Sequence, residues 1–186
     1  MDKPLKAIVK GCIKHNPQSQ RELYEMFAPK MMALCMRYVK SASEAEDVLQ
    51  EGFMKVYRNL KKYKDTGSLE GWIRRIMVNT SIDHIRKEKN HSFQLELNEE
   101  IASNQQEHIV SSLEAEFIHS LIQKLPDGYR VVFNLYAIEG YSHAEIGKKL
   151  NINESTSRSQ YTRARALLKQ QIKEAYLIKH PYRDAI

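Results

Sequence analysis

Small hydroxyl side chains and arginines recur in residues 154–170, at spacings that would bring them to one side of a helix. At about 100° per residue, Ser157, Tyr161, Ala164 and Leu168 would lie together on the opposite, packed side. Hydroxyls and guanidinium groups can hydrogen-bond to base edges and phosphates, which is the chemistry of duplex recognition. A solvated amphipathic helix would show the same pattern. The outward residues are Ser155, Thr156, Arg158, Ser159, Thr162, Arg163 and Arg165, followed by Ala166 and Lys169.

The elements before this row would position it as the second helix of a helix-turn-helix. Ser142 and Glu145 fit a capping box, which predicts a short helix that ends near Leu150. The segment 151–153 is typical of a turn, and Asn153 is a good N-cap for the outward-facing helix. From Arg158 to Lys173 there are five basic residues and no acid. The capped helix and the tight turn favour DNA binding over a merely solvated surface.

A second group of basic and aromatic residues surrounds the predicted loop 64–68, which Ser68 would end by capping the next helix. That helix, about residues 69–87, is predicted to place Asn79, Asp83 and Arg86 in one row. Cations for phosphates and a cleft for an unstacked base are what single-stranded nucleic acid requires. A lone tryptophan is more often a core residue than a stacking platform. The predicted buried residues of this helix are Trp72, Ile73, Ile76 and Ile85.

The preceding helix is predicted to begin at a capping box formed by Ser43 and Glu46 and to run to about Leu60. Its polar side is ordinary for any soluble helix. An earlier helix in residues 19–38 shows a core stripe that is interrupted at Pro29. The predicted core residues of these two helices are Leu23, Phe27, Met31, Leu34, Tyr38, Val48, Leu49, Gly52, Phe53, Val56 and Leu60. The polar side of the second of them carries Asp47, Gln50, Glu51, Met54 and Arg58.

Composition favours an all-α protein with a polyanionic partner. The 186 residues carry a net charge of +6 with an isoelectric point near 9.2. Residues 91–116 contain six glutamates and no lysine or arginine, which predicts an acidic linker between two basic helical domains. After it, Leu113, Phe117, Leu121 and Leu125 keep helical spacing up to Pro126, and a further helix is predicted at about 128–138, with Glu139-Gly140 as its end.

The sequence offers no arrangement typical of an enzyme or a metal protein. The two cysteines and seven histidines show no ligand spacing, and no phosphate-binding glycine loop or nucleophile motif occurs. We therefore expect no catalytic residues, no metal and no cofactor. Without a long apolar run or a signal peptide, we expect a cytoplasmic protein with no membrane insertion.

Two segments together resemble a bacterial sigma factor of the small extracytoplasmic-function group. AEDVLQEGFMKVYRNLKKYKDTGSLEGWIRRIMVNTSIDHIRK is similar to region 2 of that family, and LPDGYRVVFNLYAIEGYSHAEIGKKLNINESTSRSQYTRARALLK is similar to region 4. The resemblance covers about residues 18–89 and 113–171. It implies two small helical domains, a region 2-like bundle at 1–90 and a region 4-like helix-turn-helix at 113–186, joined by a flexible acidic linker at 91–112.

The resemblance also implies a role for each polar surface. The region 4 helix would read the −35 element, and the linker would pass through the polymerase toward its RNA exit channel. An anti-sigma factor is an expected further partner. The resemblance implies that Asp47, Gln50, Glu51 and Met54 would contact the clamp helices of core RNA polymerase. The residues that would bind the melted −10 strand are Tyr63, Lys64, Asp65, Thr66, Gly67, Ser68, Trp72, Arg74, Arg75 and Asn79.

The sequence departs from the family pattern at two positions of the last helix. Ser157 replaces a residue that is often aliphatic, which predicts looser packing at the start of that helix. Gln160 replaces a residue that is frequently basic, which predicts the loss of one phosphate contact. Two alternatives remain at this point: a stand-alone helix-turn-helix regulator, and a nucleic-acid-processing enzyme. The first would not need the polar row near Asp47, and the second would need a carboxylate pair or metal cluster.

Overall fold

The computed structural model describes the backbone of residues 3–92 and 113–179 and the side chains of residues 4–87 and 117–175. These ranges are helical and contain no strand, which confirms the predicted all-α class. The chain divides into two compact units, Met1–Glu96 and Leu97–Ile186. Residues 93–112 of the predicted linker lie outside the described residues. Within the described ranges, no helix is both long enough and apolar enough to cross a membrane.

The first unit is a bundle in which α2 and α4 both pack against α3. The first helix was not predicted from the sequence, and the last one continues beyond its predicted end. The elements in chain order are α1 at Lys3–Ile13, α2 at Pro17–Cys35, α3 at Ala42–Asn59, a 3-10 turn at Leu60–Lys62, and α4 at Leu69–Ser92.

Helix α2 begins where Asn16 accepts a hydrogen bond from the Ser19 amide at 2.9 Å. The predicted interruption at Pro29 is wrong, because the helix continues through the exposed proline to Cys35. The predicted core stripe of α2 is confirmed, since Leu23, Phe27, Met31, Leu34 and Tyr38 are all buried.

The predicted cap of α3 is wrong by two residues. Ser41, not Ser43, accepts from the Glu44 amide at 3.1 Å, and the Glu44 carboxylate accepts from the Lys40 amide at 3.1 Å. The Ser-x-x-Glu spacing occurs twice in this segment, and the earlier copy lets the helix bury Ala45 in its first turn. The apolar side is as predicted, with Val48, Leu49, Gly52, Phe53, Val56 and Leu60 buried.

The predicted core face of α4 is largely wrong. Of its four residues only Ile73 is buried, while Trp72, Ile76 and Ile85 are half-buried. Helix α4 contacts both α2 and α3, so its buried arc is wide and includes hydroxyls that donate to their own helix. The buried residues are Leu69, Ile73, Met77, Val78, Thr80, Ser81 and Ile82.

In the second unit α5, α6 and α7 all pack against the last helix, and one core cluster lies between the first and last helices. Leu121, Ile122 and Leu125 pack with Ala164 and Leu168. The helix predicted at 128–138 is confirmed in extent, but its last five residues widen into a π-helix that ends before Gly140, at φ +76°. The elements are α5 at Leu113–Gln123, α6 at Asp127–Phe133, the π-helix at Asn134–Ile138, α7 at His143–Leu150, and α8 at Glu154–Lys179.

A buried arginine closes the junction between α5 and α6. Arg130 is 2% exposed, and its guanidinium group reaches Asp127 at 3.0 Å and the Gln123 carbonyl at 3.3 Å. The second contact satisfies a carbonyl in the last turn of α5. Sequence patterning did not predict this role, because arginine is rarely buried without a paired charge.

Candidate nucleic-acid interface

The predicted helix-turn-helix is formed by α7, a three-residue turn and α8. The capping box is confirmed, with the Ser142 amide donating to the Glu145 carboxylate at 2.8 Å and the Glu145 amide donating to the Ser142 hydroxyl at 3.3 Å. Asn151 ends α7 in the left-handed region at φ 54°. A Cβ at Gly147 would lie 2.8 Å from the Ile152 carbonyl oxygen, so the turn can fold back this closely only over a glycine.

The packed side of α8 holds the helix against the rest of its unit. Ser157, Ala164 and Leu168 are buried and Tyr161 is half-buried, as the helical spacing predicted. The predicted looser packing at Ser157 is wrong. Its side chain is 0% exposed, and its hydroxyl forms a hydrogen bond with Nδ1 of His143 at 2.9 Å. A polar contact therefore replaces the expected aliphatic one.

The outward side of α8 presents the predicted row. All of its members are exposed except Thr156, which is half-buried. The hydroxyls of Ser159 and Thr162 donate to carbonyls of their own helix at 2.9 and 3.0 Å. Their lone pairs therefore face outward, where they can accept hydrogen bonds.

Each arginine of the row has a neighbour that the sequence pattern did not predict. Arg158 forms an i, i+4 ion pair with Glu154 and donates to it from Nε at 3.1 Å. Arg163 donates to the Tyr129 hydroxyl at 3.5 Å. The Arg165 guanidinium lies 5.9 Å from the ring centroid of Tyr161. These contacts restrict where the three guanidinium groups can point.

Gln160 packs inward instead of joining the outward row. Its side-chain amide lies 3.3–3.6 Å from the position that a Cβ on Gly128 would take. Gln160 therefore contacts the first turn of α6, and the predicted loss of one phosphate contact stays a prediction.

The predicted single-strand loop in the first unit is closed by Tyr63. The Tyr63 hydroxyl donates to the Gly67 carbonyl, and its ring lies 5.6 Å from the ring of Trp72. Asp65 adopts φ 54° and pairs with Lys6 of α1 at 3.4 Å. The predicted cap by Ser68 is confirmed by a 3.4 Å bond from the Gly71 amide.

The residues predicted for this loop surface differ in their exposure. Tyr63, Trp72 and Arg74 are half-buried. Because Tyr63 and Trp72 pack on each other, the tryptophan supports the loop and leaves part of its ring accessible. The exposed members are Lys64, Asp65, Thr66, Gly67, Ser68, Arg75 and Asn79.

In the outward row of α3, Asp47, Gln50 and Met54 are exposed. Met54 is a large apolar residue with an exposed fraction of 54%. Glu51 differs, because it is half-buried and pairs with Lys55 at 2.9 Å. The same ammonium group reaches Asp83 of α4 at 3.3 Å. The hydrogen bond from Lys55 lowers the pKa of the Glu51 carboxyl.

Beside this row lies a groove between α2 and α3 that sequence reasoning missed. Its lining includes the apolar side chains of Tyr24, Pro29, Met32 and Leu49, together with Gln50 of the polar row. The pyrrolidine ring of Pro29 contributes to this apolar lining. No group of three metal-ligating side chains occurs among the residues whose side chains are described.

Family models and curated relatives agree with this arrangement. The model "Sigma-70 region 2" matches residues 23–91, and "Sigma-70, region 4" matches residues 117–168. The ECF RNA polymerase sigma factor SigW of Bacillus subtilis is 31% identical over 189 residues, which cover 94% of this chain and 100% of that protein. The RNA polymerase sigma-H factor of Pseudomonas aeruginosa is 31% identical over 73% of this chain and 77% of its own length.

A solved structure shows the same fold. The sigma factor RpoE in a co-crystal with the anti-sigma factor NepR from Bartonella quintana matches with a TM-score of 0.53 at 19% identity, over 82% of this chain and 96% of that one. The similarity to this structure concerns the fold, whereas the sequence identity and coverage shared with SigW show the family. The chain belongs to the extracytoplasmic-function group of sigma-70 family RNA polymerase sigma factors, a family of transcription-initiation proteins without enzymatic activity.

Proposed function

We propose that this chain binds core RNA polymerase, directs it to promoters with a −35 and a −10 element, and starts the melting of the −10 element. The observation that carries the proposal is the capped helix-turn-helix that turns Ser155, Arg158, Ser159 and Thr162 outward on α8. Hydroxyls and an arginine at the N-terminal end of such a helix suit the edges of bases in a major groove.

The contacts with polymerase and with the two promoter elements are assigned to different segments of the chain. Residues 1–90 would bind the polymerase and the −10 element, and residues 113–186 would bind the −35 element. The acidic segment 91–112 would occupy a path otherwise used by RNA, since it carries the same sign of charge. An anti-sigma factor would hold the chain inactive, as the complex of RpoE with NepR suggests by analogy.

The polymerase contact is assigned to the α3 row because it combines exposed polar groups with the neighbouring apolar groove. Asp47, Gln50 and Met54 are available for contact on this surface. Glu51 would contribute through its pair with Lys55 and Asp83, so it orders the surface as well as extending its charge. A stand-alone regulator would have no use for such a row.

Charge reversal at one residue tests this assignment. Asp47→Lys should weaken the pull-down of core polymerase by the full chain without lowering the melting temperature, because exposed charges contribute at most about 1 kcal/mol to stability. Asp47 is the cleaner choice, since Glu51→Lys would place two ammonium groups together at Lys55. Exposed Glu174→Lys makes the same change of charge in the other unit and serves as the control. Equal recovery of polymerase by the Asp47 variant and the control would refute the assignment.

A further inference from the structure

We propose that His143 is a positioning residue for duplex recognition: its imidazole ring fixes the start of α8 through the buried hydroxyl of Ser157. The inference rests on the proposed function, in which α8 reads the −35 element. His143 is not itself assigned to touch DNA. Its effect would reach the DNA through Ser157, whose neighbours in the chain are Arg158 and Ser159.

The geometry joins the two helices of the helix-turn-helix at one point. His143 is the first residue of α7 and is 8% exposed, while Ser157 lies in the first turns of α8 and is 0% exposed. Their 2.9 Å hydrogen bond spans fourteen positions of the chain. Because Ser157 faces inward and Arg158 follows it, a displacement of the serine would move the outward row.

The π-helix and α8 hold the imidazole ring in place. Tyr136 of the π-helix stacks on it with ring centroids 4.2 Å apart and an interplanar angle of 10°. Tyr161 of α8 lies 4.5 Å from Tyr136 and 5.8 Å from His143. The ring therefore has little freedom to turn away from Ser157, and Nδ1 remains directed at the hydroxyl.

The surroundings favour the neutral imidazole. Burial lowers the pKa of His143 and Arg158 lowers it further, while Glu154 acts in the opposite direction. On its own helix, Glu145 is engaged by Ser142, and Lys149 lies over the Tyr141 ring. The position at the N-terminus of α7 also disfavours a cation. The Tyr136 ring would attract an imidazolium, but burial and the neighbouring Arg158 oppose it.

The sign of the pH effect follows from this lowered pKa. The neutral imidazole of His143 contributes fully to the stability of the helix-turn-helix above about pH 6.5, the pKa of histidine in the unfolded chain. This contribution is lost as the pH falls toward the lower pKa of His143 in the folded chain. Acidification should therefore weaken duplex binding. An exposed histidine near DNA would do the reverse, because its new positive charge would attract phosphate.

The test uses the full chain with core polymerase and a duplex selected by this holoenzyme from a randomised library near neutral pH. Ser157→Ala and His143→Phe each remove the hydrogen bond, and each should lower the affinity for the selected duplex by roughly three- to tenfold. The double variant His143→Phe with Ser157→Val restores apolar contact at the site. The double variant should bind the selected duplex with nearly the wild-type affinity. Its affinity should not show the additional decrease that we expect of the wild type between about pH 7 and pH 5.

Two controls separate this inference from general effects of acid and from unfolding. His119→Gln changes a half-buried histidine of α5 and should keep the wild-type pH profile. Thermal melts show which variants are folded, and the double variant keeps the test valid where a single one unfolds. Wild-type affinity in both folded single variants, or a wild-type pH profile in the double variant, would overturn the inference. No selection of any duplex by the wild-type holoenzyme would overturn the proposed function first, and the inference with it.

Discussion

In the proposed recognition of duplex DNA by α8, Arg158 is the residue whose contacts most directly limit what the helix could read. Its guanidinium is already paired with Glu154, so contact with DNA must either replace this carboxylate or use the donors that remain. An exposed i, i+4 pair contributes only about 0.3–0.5 kcal/mol, which a bidentate contact with guanine readily exceeds. The pair therefore orients the side chain without preventing recognition.

Arg158→Ala should relax the preference at one base pair of the −35 element, at a cost of about 1–3 kcal/mol, because a guanidinium on a base edge discriminates between bases. Affinities for duplexes with every base at each position measure this. Glu154→Gln is the matched variant, and it should raise affinity for all duplexes by removing a negative charge. A uniform loss with a shallower salt dependence would mean that Arg158 touches phosphate only. Unchanged binding and salt dependence would remove Arg158 from the interface.

For individual residues, helical spacing predicted which side of α8 faces outward but not the contacts of its side chains. The partner of Arg163 is Tyr129, which lies 34 positions earlier in the chain, and tertiary packing brings the two together. The same applies to Ser157, where a family pattern predicted a packing defect and the fold supplies His143 as a partner. Spacing along one helix carries no information about such neighbours.

The loop between α3 and α4 is the element to which we assign promoter melting in the proposed function. Tyr63 closes it from one side, and Lys6 of α1 reaches Asp65 within it. The loop is thus held in one shape while Lys64 and Thr66 stay exposed. A preformed loop can enclose an extruded base at a smaller entropic cost than a flexible one.

Replacing Lys64–Ser68 with a Gly/Ser linker should abolish selective binding of single-stranded −10 DNA, because the loop would no longer enclose the base. Titration of the full chain with short oligonucleotides that carry every base at each position measures the effect. Lys61→Gln with Lys62→Gln serves as the matched control, since it removes charge but keeps the loop. It should weaken all strands about equally. Equal affinity of the wild type for every strand, or a preference for duplex, would contradict melting by this element.

Elements were predicted best where the buried residues are apolar and keep helical spacing. The stripes of α2 and α3 and the cap of α7 follow directly from spacing and capping chemistry. The core face of α4 was not predicted, because it includes Thr80 and Ser81, two polar residues whose hydroxyls donate to carbonyls of their own helix. The cap of α3 was misplaced because two overlapping Ser-x-x-Glu patterns compete, and only the fold decides between them.

For the whole molecule, the order of the two motifs and the acidic segment between them supported the family resemblance, and the relatives confirm it. Each motif alone could belong to another kind of regulator. The assignment of −10, −35 and polymerase contacts to individual residues stays a prediction, because it concerns surfaces whose partners lie outside the chain.

The proposed role in promoter recognition can be tested by run-off transcription from a genomic fragment library, with this chain added to core polymerase. We expect transcripts that core polymerase alone does not make, with start sites downstream of two shared sequence elements at a constant spacing. These transcripts should disappear when the Lys64–Ser68 loop is replaced, while binding to core polymerase persists. Duplex binding by the chain without any new transcript would refute the proposed function and favour a stand-alone helix-turn-helix regulator.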